Sequence, residues 1–478
     1  MSERTKVVAT LGPATSDPER LEALVTAGVD VFRLNFSHGE RHEHLERVRM
    51  IRDVCSRVGG HVSILGDLQG PKIRVGKVPD GGIPVEEGET CELVSGVETA
   101  PPPAVPVVYE HLANDVKPGD RILIDDGAIE LTVLDVNGDR VRCTVLNGGV
   151  VKSRKGINLP GVAVSATSLT EKDKTDLGLA VEAGVDYVAQ SFVRRTSDIL
   201  HTKQELRSLG SEIPVVAKLE RPEALEDLDG ILTVSDAVMV ARGDLGVEVA
   251  VEKVPSIQKH IIARANAFGV PVITATQMLE SMITNPRPTR AEASDVANAV
   301  FDGTDAVMLS GETAVGAYPV AAVKSMVRII REAEATPSLL HPPPPPGGPL
   351  NVAATICKAA VTAAADLRAR AIIAFTETGA TARFVSRFRP QTPIVGLSPY
   401  DATRRRMALY WGVESAGTVQ RRGHLHEMLD EGDERIIEAG YVQAGDLVVV
   451  LAGTPGGVGA TNRVIVHRVG EVEGGRRV

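Results

Sequence analysis

A lysine and a glutamate stand two residues apart at the end of one short apolar run, and an aspartate follows the next run. They are Lys218, Glu220 and Asp244. Residues two apart in a β-strand face the same side, so Lys218 and Glu220 direct a cation and an anion to one place. Glu220 and Asp244 supply two hard carboxylate ligands that leave most positions of an octahedral Mg²⁺ open to water and substrate oxygens. Taken alone, a buried ion pair, Lys218 with Glu220 or Arg242 with Asp244, would explain the same charges.

Further polar side chains follow the other apolar runs of the chain. Barrel enzymes place their active sites at the carboxyl ends of the strands, so residues in these positions are expected to meet. Their convergence weakens the interpretation as unrelated ion pairs. The full set comprises Arg33, Asn35, Ser37, His38, Asp67, Arg74, Lys218, Glu220, Arg242, Asp244, Thr276, Ser310 and Glu312.

The elements that must position these residues are short β-branched runs that alternate with amphipathic, helix-length stretches. Eight such units predict parallel strands with crossover helices and favour a closed (β/α)₈ barrel, an α/β fold. An open doubly wound sheet is the alternative. The predicted strands are Lys6–Leu11, Val31–Leu34, Ser63–Asp67, Tyr187–Ser191, Val215–Leu219, Ala237–Ala241, Val272–Ala275 and Ala306–Leu309.

A long insertion separates the third and fourth predicted strands. Residues 72–154 carry turn signals such as Lys117-Pro118-Gly119-Asp120 between alternating apolar runs, which indicates a small antiparallel β-barrel domain. Because this domain hangs from a βα loop, it can close as a lid over the active face. The barrel then occupies residues 1–71 and 155–335.

The last part of the chain reads as a separate domain. Residues 336–351 contain five consecutive prolines, Pro342 to Pro346, which favour an extended, semi-rigid linker. An SH3-type ligand is the alternative for this segment. Residues 352–478 again alternate helical patterns with apolar runs and predict a C-terminal α/β domain.

Composition limits the classes of function. The formal net charge of −10 argues against nonspecific binding to nucleic acid or to an anionic membrane. The four cysteines include no C-x-x-C pair, so we expect buried, reduced thiols rather than a zinc site or a disulfide framework. The N-terminal stretch lacks a signal-peptide core and no run reaches about 18 uninterrupted apolar residues. We therefore expect a soluble, cytoplasmic protein.

One turn is suited to an anion. In the segment Met239 to Gly246, small and glycine residues lie where a strand passes into a helix, which exposes backbone N–H groups. The chain has no G-x-x-x-x-G-K-[ST] phosphate loop and no protein-kinase motif set, so a nucleotide must bind in another way.

The motifs of the chain closely resemble those of the pyruvate kinase family, in family order. The resemblance runs from near the N-terminus into the C-terminal domain, where it is looser. MVARGDLG and ATQMLESM are its most specific parts. The matching motifs are FRLNFSHG, GPKIR, SRKGINLPG, LTEKD, AKLE, MVARGDLGVE, ATQMLESM and MLSGETAVGAYP.

This resemblance implies a phosphotransferase, dependent on Mg²⁺ or Mn²⁺, that moves the phosphoryl group of phosphoenolpyruvate to ADP and yields pyruvate and ATP in glycolysis. Lys218 would neutralise charge on the phosphoryl group, because such transfer depends mainly on positioning and electrostatics. The implied ligands are Arg33 for the phosphate, Gly243, Asp244 and Thr276 for the carboxylate, and Glu220 and Asp244 for the metal.

The resemblance also implies a nucleotide site and a route for the proton that the enolate carbon must gain. Hydroxyl groups are candidates for the proton relay. The implied nucleotide ligands are Asn35, His38, Arg74 and Lys172, and the implied proton relay is Thr276 and Ser310 with Glu312 nearby.

The chain departs from the commoner family pattern at the potassium site. Many members read Asp-Thr-Lys-Gly-Pro-Glu, whereas this chain reads Asp67-Leu68-Gln69-Gly70-Pro71-Lys72. Leu68 offers no side-chain ligand and Lys72 brings an ammonium group, so we expect activity without K⁺. In the alternative, a cation is still held by Asn35, Ser37, Asp67 and the Leu68 carbonyl.

By resemblance, the C-terminal domain is of the effector-binding type and the protein a homotetramer. The segment Thr376 to Thr381 precedes a helical pattern and offers hydroxyl and N–H groups to a phosphate, although Glu377 argues against a highly charged one.

Two other classes of function are alternatives for this chain. A Mg²⁺-dependent barrel lyase or aldolase acting on pyruvate or an enolate would explain the carboxylates, but not the lid, Arg74 or Lys172. A scaffold or inactive relative predicts the loss of Lys218, Glu220 or Asp244, and all three are present.

Overall fold

The structure, a computed structural model, describes residues 3–336, 339–340, 352–420, 424–453 and 461–471. Within these ranges, no helix has both the length and the apolar character needed to cross a membrane. The predicted linker, residues 336–351, falls almost wholly outside them.

Eight parallel strands close into a barrel in which each strand pairs with its neighbours in chain order. The predicted barrel is confirmed, and all eight predicted strands form, with ends that differ by at most one residue. Continuous burial along most of them explains why they read as apolar runs. The strands are β1 (Lys6–Thr10), β2 (Val31–Asn35), β3 (Ser63–Asp67), β4 (Tyr187–Gln190), β5 (Val215–Leu219), β6 (Ala237–Ala241), β7 (Val272–Ala275) and β8 (Ala306–Leu309).

Helices cover the outside of the barrel. In the first of them, Asp17 accepts a hydrogen bond from the Arg20 N–H and Gly28, with φ of 110°, caps the carboxyl end. The helices of the barrel domain are Pro18–Ala27, Arg41–Val58, Glu171–Ala183, Thr196–Ser208, Glu223–Glu226, Leu228–Val234, Arg242–Glu248, Val254–Phe268, Arg290–Phe301, Gly311–Ala314 and Pro319–Glu334.

An aspartate precedes every second barrel strand and ties it to the strand before. The Asp30 carboxylate accepts the N–H of Val7 at 2.8 Å, and the Asp30 N–H donates to the Val7 carbonyl. Three further aspartates repeat this exchange, so the amino end of the barrel carries a fourfold pattern. They are Asp186 with Ile64, Asp236 with Val215, and Asp305 with Val272.

The inserted domain is a small β structure with its own apolar core. Its main sheet has seven strands, a two-stranded sheet accompanies it, and one short helix, Leu112–Asp115, lies within it. The sheet continues past the predicted end at Arg154, because Gly156–Asn158 pairs with Ile73–Arg74 where the chain enters the domain. The other strands are Ile83–Val85, Thr90–Ser95, Val105–Val107, Arg121–Ile124, Ile129–Asn137, Arg140–Asn147 and Gly149–Val151.

The C-terminal domain is a five-stranded sheet with helices, and it contacts the amino end of the barrel. Arg389 lies 2.9 Å from Asp305 and Arg405 lies 2.8 Å from Asp186. Its strands, in sheet order, are Val413–Thr418, Ile394–Ser398, Ala371–Phe375, Leu447–Gly453 and Thr461–Arg468, the last antiparallel. Its helices are Val352–Asp366, Ala380–Arg387, Asp401–Arg406 and Leu425–Glu438.

Candidate active site

A row of alternating charges lies across the carboxyl ends of β2, β3 and β5. The Arg33 Nε atom donates to Asp67 Oδ2 at 2.6 Å, and the Lys218 Nζ atom lies 3.3 Å from Asp67 Oδ1. On its other side the same ammonium lies 2.8 Å from Glu220 Oε1. The strands therefore bring together four of the predicted site residues. The ion pair of Lys218 with Glu220, which was the structural alternative for these two charges, forms as one link of a longer row.

Burial and charge act in opposite directions on these groups. Burial alone would raise the pKa of Asp67, but Lys218 and Arg33 hold it below its usual value. Burial alone would lower the pKa of Lys218, but Asp67 and Glu220 raise it well above the usual value, so the ammonium stays charged. Burial, with Asp244, raises the pKa of Glu220 against the lowering effect of Lys218.

Glu220 and Asp244 suit a hard divalent cation. The buried Oε1 atom of Glu220 has the Lys218 ammonium at 2.8 Å but accepts no hydrogen bond of good geometry, and the Asp244 carboxylate is partly exposed. A bound cation would relieve the raised pKa of Glu220, because positive charge favours the ionised carboxyl. In the part of the chain that the structure describes, no group of three or more His, Cys, Asp or Glu side chains is placed to hold a metal. Two carboxylates leave most positions of an octahedral cation open to water and substrate oxygens.

Thr276 stands directly after β7 in a strained backbone conformation. Its φ is 68°, which is rare for a β-branched residue, and that of Gln277 is 55°. The Thr276 hydroxyl accepts the N–H of Gly243 at 2.7 Å, which joins this turn to the start of the helix that carries Asp244. The structure thus brings together the residues expected around a carboxylate.

Arg242 supports the strained turn and does not pair with Asp244. Its guanidinium donates to the carbonyl of Thr276 at 2.7 Å and pairs with Asp295 at 2.8 Å. The alternative interpretation of Arg242 and Asp244 as a structural ion pair is therefore wrong. Arg242 and Asp295 lie far apart in the sequence, and no sequence pattern predicted their contact.

Glu312 holds the turns after β7 and β8 together. Its two carboxylate oxygens accept the N–H groups of Leu279, at 3.0 Å, and Ser310, at 2.7 Å. The buried Ser310 hydroxyl accepts and donates no hydrogen bond among the described residues. The Ser310 hydroxyl thus has unused hydrogen-bonding capacity, whereas both carboxylate oxygens of Glu312 are occupied by the backbone.

The expected nucleotide residues are divided between barrel and lid. Lys172 donates to the carbonyl of Phe36 at 2.7 Å, which brings it to the loop of Asn35 and the exposed His38. Arg74 lies on the lid strand and donates to the Arg154 carbonyl at 3.1 Å. Among the described residues, Arg74 makes no hydrogen bond or ion pair with the other three.

The oxygens expected around a monovalent cation have partners of their own. Asn35 Oδ1 accepts the Ser37 N–H at 3.1 Å, and the Leu68 carbonyl accepts the Ser191 hydroxyl at 2.7 Å. The Lys72 ammonium lies 3.8 Å from Asp244 Oδ1. Within the described ranges it forms no hydrogen bond or ion pair with Asn35, Ser37 or Asp67.

Sequence reasoning missed Ser191, which accepts a hydrogen bond from Lys218 at 2.6 Å. Ser191 ends the fourth predicted strand, so the rule that selected the other polar residues would have found it. It also missed Asp173, which accepts the Gly70 N–H at 3.0 Å and fixes the entrance to the lid. No spacing rule connects these two positions.

Comparison with known proteins identifies the family. The family model for the pyruvate kinase barrel domain matches residues 2–323, and that for the pyruvate kinase alpha/beta domain matches residues 354–467. The pyruvate kinases of Mycobacterium tuberculosis and Clostridium acetobutylicum are 46% and 43% identical to the chain. These alignments cover 98% of this chain and 99% and 100% of the relatives.

A solved structure leads to the same family. The crystal structure of a pyruvate kinase from Cryptosporidium parvum matches with a TM-score of 0.89 and 34% identity, over 98% of this chain and 96% of that one. The chain is therefore a phosphotransferase, and the lyase or aldolase interpretation is not favoured. The family generally needs Mg²⁺ and K⁺. With both domain types present in order, the chain belongs to the pyruvate kinase family, whose members use phosphoenolpyruvate and ADP to make pyruvate and ATP.

Proposed function

We propose that the family's phosphoryl transfer takes place on the row of charges at the ends of β2, β3 and β5, with Lys218 as the group that neutralises the phosphoryl charge. The observation that carries the proposal is the buried Lys218 ammonium between Asp67 and Glu220, whose carboxylates raise its pKa. A fixed cation in a water-poor site stabilises developing negative charge without reorganisation. Arg33 binds the phosphate beside it.

Glu220 and Asp244 are the residues that would hold Mg²⁺, or Mn²⁺ in its place. When bound, the metal supplies positive charge to phosphate and carboxylate oxygens of the substrates. The chain itself orients both carboxylates, since Glu220 Oε2 accepts the Phe192 N–H at 2.8 Å and Asp244 lies in the first turn of a helix.

Gly243, Asp244 and Thr276 receive the carboxylate of phosphoenolpyruvate. The helix that begins at Arg242 presents backbone N–H groups there, and the Thr276 hydroxyl keeps the Gly243 N–H directed to that turn. Arg242 maintains the strained conformation that this requires.

Thr276 and Ser310 are proposed to pass a solvent proton to the enolate carbon. Ser310 supports this role because its hydroxyl is buried without a hydrogen-bond partner among the described residues. Glu312 acts by positioning, because its two oxygens hold the backbone of both turns.

The nucleotide is proposed to bind between barrel and lid, at Asn35, His38, Arg74 and Lys172. Closure of the lid would carry Arg74 toward the other three and exclude water. The division of these residues between two domains supports a site that is completed only on closure.

The remaining proposals concern the cation site, effectors and assembly. Lys72 supplies the positive charge for which relatives use K⁺, so Asn35, Ser37, Asp67 and Leu68 need hold no monovalent ion.

The segment Thr376 to Thr381 is proposed to bind an effector with a phosphate, in a homotetramer. Against it, the Thr376 hydroxyl already accepts the Gly379 N–H at 2.8 Å.

The test supplies phosphoenolpyruvate, ADP and Mg²⁺ and follows pyruvate. Lys218→Ala is expected to lower kcat by roughly 10²- to 10³-fold, the effect of removing one preorganised transition-state contact. Lys203→Ala is the matched control, because Lys203 also pairs with an aspartate, Asp236 at 2.7 Å, away from the site. Equal rates for Lys218→Ala and wild type would refute the role of Lys218.

A further inference from the structure

A buried ion pair joins the two elements that supply the proposed metal ligands. Arg221 directly follows Glu220, and Glu248 ends the helix Arg242–Glu248, whose first turn contains Asp244. Arg221 Nη1 lies 2.8 Å from Glu248 Oε1, and only 5% and 6% of the two residues' surfaces are exposed. The ion pair therefore connects the same two elements that a metal on Glu220 and Asp244 would bridge.

The same two side chains are bonded to the lid. Asn158, the last residue of the lid strand Gly156–Asn158, donates from Nδ2 to Glu248 Oε1 at 3.0 Å. Arg221 donates from Nη2 to the carbonyl of Val162, also at 3.0 Å, in the segment that leads out of the lid. Each member of the ion pair thus holds one bond to its partner and one to the lid side.

The apolar surroundings of the Arg221–Glu248 ion pair make separation of the two charges unfavourable. An apolar cavity lies beside it, lined among others by Pro71, Ile157 and Phe192. Glu248 Oε2 is buried and accepts no hydrogen bond. In such a place a charge separated from its partner is poorly solvated, so displacement of either side chain of the ion pair is costly.

We propose that Arg221 and Glu248 are positioning residues that link the separation of Glu220 and Asp244 to the position of the lid. The inference rests on the proposed role of these two carboxylates as metal ligands. The carboxylates are held at a metal-binding separation in the lid position that keeps the bonds to Asn158 and Val162. By linkage, a metal bound to them favours that same lid position.

Direct binding of Mn²⁺ to the full chain, followed by the electron paramagnetic resonance of the free ion, tests the link without using activity. Glu248→Gln keeps the size of the side chain and an acceptor for Asn158 but removes the charge that faces Arg221. We expect the Kd for Mn²⁺ to rise roughly tenfold or more, as for other residues that orient metal ligands.

Glu223→Gln is the matched control. Glu223 is the second carboxylate on Arg221, at 3.2 Å from Nη2, but it is partly exposed and lies on no element that carries Asp244. We expect less than about a twofold change in Kd, as for a partly solvated pair. Equal Mn²⁺ affinity of Glu248→Gln and wild type overturns the proposal, and so does equal weakening by both variants. If circular dichroism shows that Glu248→Gln does not fold, Arg221→Lys replaces it, with the same expectation and the same contrary results.

The lid side of the link has its own variant. Asn158→Leu removes the bond from the lid and leaves the ion pair of Arg221 and Glu248. In the wild type, we expect Mn²⁺ to slow amide hydrogen exchange in the lid strands Ile73–Arg74 and Gly156–Asn158, and in Asn158→Leu we expect this protection to be lost. Protection that persists in the variant contradicts the link to the lid.

If Glu220 and Asp244 are not metal ligands, a different set of results is expected. In that case the wild type would not bind Mn²⁺, or Glu220→Gln would bind it as tightly as the wild type. If both behave as expected and Glu248→Gln binds Mn²⁺ normally, only the positioning role is lost.

Discussion

The Lys72 ammonium lies 3.8 Å from the Asp244 carboxylate. Lys72 occupies the position at which many members of the family carry a glutamate, and its partner here is a proposed Mg²⁺ ligand rather than the oxygens of Asn35, Ser37 or Asp67. The extra positive charge therefore reaches the site from the entrance to the lid, since Lys72 directly precedes the lid strand Ile73–Arg74. On the proposal that Lys72 supplies the charge for which relatives use K⁺, we expect this chain to need less help from a monovalent ion.

Turnover is expected to be similar in sodium and potassium buffers of equal ionic strength. Lys72→Glu should slow turnover in sodium by about tenfold or more and recover in potassium, because a carboxylate beside Asp244 adds like-charge repulsion that a bound cation relieves. Lys77→Glu is the control, since Lys77 is an exposed lysine of the lid that pairs with Glu98. A strict potassium requirement of the wild type would contradict the prediction.

The Thr276 hydroxyl should matter for stability as well as for catalysis. Thr276→Val keeps the shape but leaves the Gly243 N–H without its acceptor, and the cost of such a group is about 1–3 kcal/mol. Urea unfolding measures that loss, and pyruvate formation should fall with it. Thr276→Ser keeps the hydroxyl and should stay near wild type in both assays. If Thr276→Val unfolds like Thr276→Ser, the hydrogen bond contributes little.

Gly70 is needed at the entrance to the lid for two reasons. Its φ is 68°, and an added Cβ would lie 2.8 Å from Phe192 Cδ2 and 2.9 Å from Ser191 Cβ. Gly70→Ala should therefore destabilise the chain by more than the roughly 1–2 kcal/mol that left-handed backbone alone costs, and should raise KM for ADP.

Gly161→Ala separates the cost of the left-handed backbone from the cost of the contacts with Phe192 and Ser191. Gly161 has a similar φ of 74°, but its Cβ would meet nothing within 4 Å. This variant should show the backbone cost alone, with KM for ADP unchanged. Equal loss of stability in the two alanine variants would show that the contacts with Phe192 and Ser191 are of no consequence.

The C-terminal domain should be more stable at pH 6 than at pH 8. His467 Nε2 lies 2.9 Å from Asp433 Oδ2, and this hydrogen bond raises the pKa of His467 above its usual value. The stabilisation is complete below the unfolded pKa of about 6.5 and is lost as the pH rises through the higher folded value. Urea unfolding followed by Trp411, the one tryptophan of the sequence, measures it. Asp433→Asn should remove this pH dependence, and its persistence there would assign it to another group.

Much of the candidate site could be predicted because buried parallel strands can be recognised in the sequence. Each strand appears as an apolar run, and the first polar residues after it lie at the carboxyl end of the barrel, which selected Lys218, Glu220 and Asp244 as candidates. The partners of those residues could not be predicted, because they depend on pairing across the fold. Lys218 contacts Asp67 and Glu220 at once, and no spacing distinguishes that row from a single pair.

The cysteines also show that contacts across the fold could not be predicted from the sequence. The predicted burial is confirmed for all four cysteines. Cys91 and Cys143 are nevertheless direct partners on neighbouring antiparallel strands, and burial raises their pKa values to about 11 and about 12. The register of the lid sheet creates this contact, and the sequence separation of the two residues does not reveal it.

The aspartates at the amino end of the barrel have a mechanical consequence. Asp186 and Asp305, which precede β4 and β8, are the two that Arg405 and Arg389 of the C-terminal domain hold. In a closed ring of eight strands, β4 and β8 stand on opposite sides. Two ion pairs on opposite sides of the barrel resist rotation of the C-terminal domain about the barrel axis. Rotation of the C-terminal domain would therefore shear β4 and β8 in opposite directions, and these are the strands whose far ends lead to Ser191 and Ser310.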